Sequence, residues 1–66
     1  MSNNIWLTVK DAARYASLSP DVIYVACERN ELRHARVSGR RTIRLRAEWL
    51  DAWLERHARG PVDRAA

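Results

Sequence analysis

The sequence predicts a single small, mostly α-helical domain that carries one β-hairpin, and three observations predict it. Apolar residues recur at helical spacing in three separate stretches. Between His34 and Leu45 the spacing falls to two. And 66 residues leave room for one core and no more. A chain this short buries only about 60% of the surface it exposes when unfolded, so the domain is expected to be marginally stable and to lean on a partner or on self-association. With 47% apolar and 30% charged residues it has the composition of a folded globular chain. Its size argues against an enzyme with a deep pocket.

The elements follow in order. Thr8 can cap a first helix, and Asp11, three residues on, suits the free N–H groups of its opening turn. Val9, Ala12, Ala13 and Ala16 then share a face, so this helix should run from about 9 to 16. Ile5, Trp6 and Leu7 precede it as an apolar lead-in expected to be buried. Ser19 as N-cap and Pro20 at the first helical position start a second helix, only three residues after the first ends. So short a connection makes the tight corner of a helix-turn-helix. The second helix should reach about Arg29, with Asn30 as a left-handed terminator. Its projection sets Ile23, Ala26, Cys27 and Asn30 toward the core and Asp21, Val25 and Glu28 toward solvent. Leu32 should plug the core beyond it.

In the hairpin, Ala35, Val37, Ile43 and Leu45 are expected to point inward. Arg36, Arg40, Arg41 and Arg44 should occupy the outer face and the tip, around the turn Ser38-Gly39-Arg40-Arg41. A last helix, about 47 to 57, should bury Trp49, Leu50, Trp53 and Leu54 and show Glu48, Asp51, Glu55 and Arg56 to water. The domain is expected to span 1–58, with 59–66 a flexible tail.

Charge supplies the first functional signal. Eleven of the twelve Lys and Arg residues are Arg, a ratio that a G/C-rich genome would also produce. Placement is more telling. From Arg29 to Arg46 there are seven Arg and one acid, net +6, whereas the rest of the chain has five cations and seven acids, net −2. A purely solubilising surface would mix the signs, so this concentration marks contact with a polyanion, and Arg offers a planar fork that fits phosphate. Cys27 is the only cysteine, which excludes an internal disulfide and, lying on the apolar face, reads as a core thiol. His34 and His57 are 23 residues apart, with no ligand spacing for a metal and no role expected beyond surface solvation. No catalytic set, phosphate loop or cofactor motif appears. Neither a membrane span nor a signal peptide is evident, and a cytoplasmic location is expected.

The ordered residues Trp6-Leu7-Thr8-Val9-Lys10-Asp11-Ala12-Ala13, Leu18-Ser19, Glu31-Leu32, Val37-Ser38-Gly39-Arg40-Arg41-Thr42-Ile43-Arg44 and Trp49-Leu50-Asp51-Ala52-Trp53-Leu54 carry a family resemblance. Over about residues 6 to 55 the chain resembles the excisionase-type winged helix-turn-helix family, relatives of the DNA-binding domain of MerR regulators. The resemblance implies a non-enzymatic protein whose second helix enters the major groove while the hairpin wing follows the backbone or the adjacent minor groove. It further implies a recombination directionality factor of phages and mobile elements, which bends an attachment site and steers an integrase. A small transcriptional regulator is the alternative, and an adaptor using Val22 and Val25 without DNA binding is a second one. MerR proteins add a dimerising coiled coil, for which nothing after Arg59 offers a pattern.

The candidate DNA-contacting residues are Ser19, Asp21, Tyr24, Val25, Glu28 and Arg29 on the second helix and its ends. On the hairpin they are Arg36, Ser38, Gly39, Arg40, Arg41, Thr42 and Arg44. Val25 and Glu28 stand where family members commonly place Arg or another donor, so direct base readout should be poor. Affinity should then rest on the wing, specificity partly on DNA shape, and tight occupancy on cooperative self-association along double-stranded DNA.

Overall fold

A computed structural model describes residues 5–39 and 42–61. The four residues that open the expected domain, Arg40 and Arg41 that were expected at the hairpin tip, and residues 62–66 of the expected tail lie outside the described residues. The order is α1 (Val9–Ala16), α2 (Pro20–Glu28), β1 (Ala35–Arg36), β2 (Ile43–Arg44) and α3 (Ala47–His57), the elements expected of a winged helix-turn-helix.

Local chemistry sets both ends of the first two helices. Thr8 Oγ1 accepts from the Asp11 N–H at 3.1 Å while the Thr8 N–H donates to the Asp11 carboxylate at 3.3 Å, a reciprocal capping box. Ser17 then turns the chain at φ 59°, so that the Leu18 N–H returns to the Ala13 carbonyl at 2.8 Å. The same closure ends α2. Arg29 is its cap, not its last turn, Asn30 sits at φ 59°, and the Glu31 N–H reaches the Ala26 carbonyl at 2.9 Å. Asn30 was expected on the core face but is exposed, because a residue in this terminating conformation points its side chain off the helix.

One core joins the three helices and β2: Val9, Ala12 and Ala13 of α1, Ile23, Ala26 and Cys27 of α2, Leu32, Ile43 of β2, Leu45, and Leu50 and Trp53 of α3. Two polar ties hold α3 across the helical corner. Tyr15 Oη donates to Asp51 Oδ1 at 2.8 Å, and Arg56 Nη2 donates to the Glu31 carbonyl at 2.7 Å.

The lead-in, expected to be buried, is not: Ile5 is 62% and Trp6 46% exposed, and only Leu7 packs partly on the core. Leu7 instead pairs antiparallel with Leu45 through two 2.8 Å backbone hydrogen bonds, so the lead-in lines the hairpin as a third extended segment. Trp49 is half-buried and Leu54 37% exposed, contrary to expectation, because Leu50 and Trp53 are the α3 side chains turned fully into a core already filled from the other elements. His34 Nδ1 bonds the Leu32 carbonyl at 2.7 Å and His57 Nδ1 the Trp53 carbonyl at 3.0 Å, so both imidazoles brace backbone rather than merely meeting water.

The hairpin's faces also differ from the expected ones. Its register pairs Ala35 with Arg44 and Arg36 with Ile43. Directly paired residues share a face, so Arg36 lies on the side of buried Ile43, whereas Arg44 lies with Ala35 and Val37 on the other. Val37 is consequently 70% exposed, not inward. Counting alternation along each strand separately cannot reveal this, since one residue of register exchanges the faces.

Candidate nucleic-acid interface

The helical corner presents the N-terminus of α2 to solvent. Ser19 caps it, its Oγ accepting from the Val22 N–H at 3.4 Å, and remains exposed. Along the open side of α2, Asp21, Val22 and Val25 are exposed, whereas Tyr24 is half-buried with its ring against the core. Asp21, Val22, Val25 and Ala26 line an open groove of about 280 Å³ together with Glu31 and Trp53. From Pro20 to Glu28 no Arg, Lys, Asn or Gln occurs, so the groove is apolar with an acidic rim.

Toward the far end of α2 the helix meets the wing. Arg36 Nη2 lies 3.5 Å from Glu28 Oε2. Arg29 lies 4.0 Å from Glu31 with both groups well exposed, a contact too solvated to fix either side chain. On the wing, the Val37 N–H donates to the Thr42 carbonyl at 3.0 Å and closes the hairpin beyond its last strand pair. Ser38 and Gly39 are exposed, and Gly39 adopts φ +77°, which a Cβ-bearing residue resists. Thr42 and Arg44 are half-buried, Arg44 Nη1 donating to the Ile43 carbonyl at 2.9 Å. Of the expected residues, Ser19, Asp21, Val25, Glu28 and Arg29 are exposed along α2 and its ends and Arg36 joins them through Glu28, whereas Arg44 lies on the opposite face of the hairpin and Arg40 and Arg41 lie outside the described residues.

Cys27 is fully buried behind this surface, and desolvation pushes its thiol up to about 11, with Arg36 opposing and Glu28 adding. It is an unreactive core thiol, as its position on the apolar face implies.

A further cationic cluster was not foreseen from the sequence. Arg46 lies 4.2 Å over the Trp6 ring, Trp6 meets Trp49 edge-on at 5.7 Å, and Arg33 lies 4.9 Å from the Trp49 ring centre. The period-two placement of Arg44 and Arg46 opposite Ile43 and Leu45 was the available signal.

Among the described residues, no group of His, Cys, Asp and Glu is placed to hold a metal, and no helix is long and apolar enough to cross a membrane. Residues 6–58 match a family model described as a helix-turn-helix domain. No curated protein and no solved structure matches the chain significantly.

Proposed function

The chain belongs to the helix-turn-helix domain family, a family of small DNA-binding domains, and from that premise we propose that it is a non-catalytic architectural protein of duplex DNA. In this reading α2 lies in the major groove and the wing runs along the backbone or the neighbouring minor groove. The finer reading is an excisionase: copies fill adjacent sites cooperatively, bend an attachment site and direct an integrase toward excision.

One observation carries this reading, namely the chemistry of α2. Its open side offers Asp21, Val22 and Val25, and the Glu28 carboxylate is engaged by Arg36. Such a helix can take shape and a thymine methyl but has little with which to read guanine or adenine. Affinity then falls to the Arg-rich wing and to DNA deformability. A module of this size buries only about 600–1,000 Å² of its own surface on DNA, so tight occupancy calls for neighbouring copies held at high effective concentration.

Footprinting over a concentration series, with circularly permuted fragments to report bending, tests the proposal. Adjacent sites should fill together, steeply, with a change in curvature. Sites that fill independently on straight DNA would indicate a small transcriptional regulator instead. A chain that fails to bind duplex even at low salt would indicate an adaptor, whose apolar groove at Val22, Val25 and Trp53, rimmed by Asp21 and Glu31, suits a basic amphipathic segment.

A further inference from the structure

The sheet surface turned away from the core carries chemistry that neither α2 nor the wing tip uses. Ala35, Val37 and Arg44 share that surface by strand register. Because Leu7 pairs with Leu45, the flanking residues Trp6 and Arg46 fall on it too, opposite half-buried Leu7 and buried Leu45. Trp6 is 46% exposed, yet its ring does not lie loose. The Arg46 guanidinium sits over it at 4.2 Å, and the Trp49 ring stands in a T-shaped arrangement with it, the two centroids 5.7 Å apart. Beside the ring opens a hollow of about 250 Å³ lined by Trp6, Ala35, Val37 and Arg44.

Folding alone does not account for this arrangement. Leaving an indole and a Val exposed side by side forgoes the stabilisation their burial would provide, and the two make an apolar patch that water covers poorly. The ring is held in a defined orientation before any ligand arrives, which lowers the ordering cost of binding. The hollow is smaller than the roughly 300–1,000 Å³ of pockets for drug-sized ligands, a size suited to a single planar ring system. Among the described residues its lining contains an indole, two aliphatic side chains and a guanidinium, with no acid. Arg46 stands beside it, and Arg33 extends the cationic row past Trp49.

Apolar, flat and flanked by phosphate-matching cations, the surface has the chemistry of a stacking platform for nucleotides. Exposed aromatics on an open sheet, with Arg to meet the backbone, bind unpaired bases because every base has a π-face to offer. Paired bases in duplex DNA are already stacked and present only their edges in the grooves. We propose that this sheet face binds single-stranded nucleic acid, an unpaired base stacking on Trp6 in the hollow while Arg44 meets a flanking phosphate and Arg46 holds the ring in place. The site is separate from α2, since Arg36, the wing residue that contacts α2, lies on the opposite face of the hairpin. It stands without the duplex-binding reading.

The test is fluorescence anisotropy of a labelled ten-residue oligothymidylate with the full chain at low salt, run beside a labelled random duplex. The wild type should bind the oligothymidylate. Trp6→Ala should weaken that binding about 5- to 150-fold, the range for removing a single base stack. Trp6→Phe should recover most of it, and duplex affinity should stay within about twofold. Thermal melts report whether each variant folds. Val37→Glu is a second probe that puts a negative charge into the hollow at an exposed position, and it should weaken oligothymidylate binding at least about fivefold. The proposal is overturned if the wild type ignores the single strand, or if both variants bind it unchanged. It is equally overturned if they weaken duplex and single strand by the same factor, which would make the face part of the duplex interface. Sedimentation showing that Trp6→Ala abolishes self-association, with no oligothymidylate binding, would assign the face to contacts between copies. Failure of the wild type to bind duplex alone overturns the architectural reading and leaves this one standing.

Discussion

Arg36 of β1 joins Glu28 in the last turn of α2 at 3.5 Å, so the wing and the helix that precedes it are tied by a cation and an anion that both belong to the candidate DNA surface. The tie orients the wing against α2 and at the same time withholds positive charge from a phosphate. As an exposed pair it contributes at most about 1 kcal/mol to stability. Its larger effect is on binding. Glu28→Gln should leave the thermal midpoint nearly unchanged while raising duplex affinity, with a slope of log K against log salt steeper by up to about 0.9 if Arg36 turns to a phosphate. A salt series by gel shift checks this, and an unchanged slope would exclude Arg36 as a latent phosphate ligand.

Arg40 and Arg41 follow Gly39 in the wing-tip sequence. Replacing both by Ala should reduce the salt slope by about 0.9 for each phosphate that the wing no longer neutralises, with stability unaffected. Retained slope and affinity would refute the assignment of the tip to phosphate.

Trp53 is 6% exposed, and its indole N–H has no hydrogen-bond partner among the described residues. Trp53→Ala should cost about 3–5 kcal/mol and abolish cooperative thermal unfolding in a domain this small. Trp53→Phe should retain a cooperative melt, because it preserves most of the packing and removes the unpartnered N–H. The comparison by calorimetry separates packing from any direct contact of this ring with DNA.

Ser17 holds φ 59° without the side-chain advantages that let Asn30 adopt the same conformation. Relief of Cβ strain, about 1–2 kcal/mol, outweighs the added backbone entropy of glycine, about 0.5–1 kcal/mol. Ser17→Gly should therefore raise the melting temperature by several degrees, with Asn30→Gly giving a smaller change.

Burial holds the Cys27 thiol at about 11, and the hydrogen bond to Asp51 raises the Tyr15 phenol above its usual value. Both groups keep their protons in the folded chain to higher pH than in the unfolded one. Between about pH 9 and 11 the folded state thus binds more protons, and stability falls as pH rises through that window while being complete below it. Denaturant melts at successive pH values should show the decline, and Cys27→Ala should make it shallower. Thiol reagents at pH 8 should label native protein far more slowly than unfolded protein.

What the sequence determined by itself is what short-range chemistry controls. Thr8 with Asp11, Ser19 with Pro20, and Asn30 specify the limits of α1 and α2 because each cap bonds backbone within a few residues of itself. The 3.6-residue spacing of Ile23, Ala26 and Cys27, or of Leu50 and Trp53, likewise selects the buried side of a helix with no reference to the rest of the fold. The concentration of Arg between Arg29 and Arg46 was legible from charge placement alone. Tertiary structure decided what depends on partners far along the chain. Only cross-strand pairing could send Arg36 toward α2 and Arg44 outward, because hairpin register is a relation between two strands and not a property of either. Only the pairing of Leu7 with Leu45 could bring Trp6 beside Arg44 and Arg46. A core this small is filled by Leu50, Trp53 and their neighbours, and competition for that limited volume left Trp49 half-buried and Leu54 partly exposed.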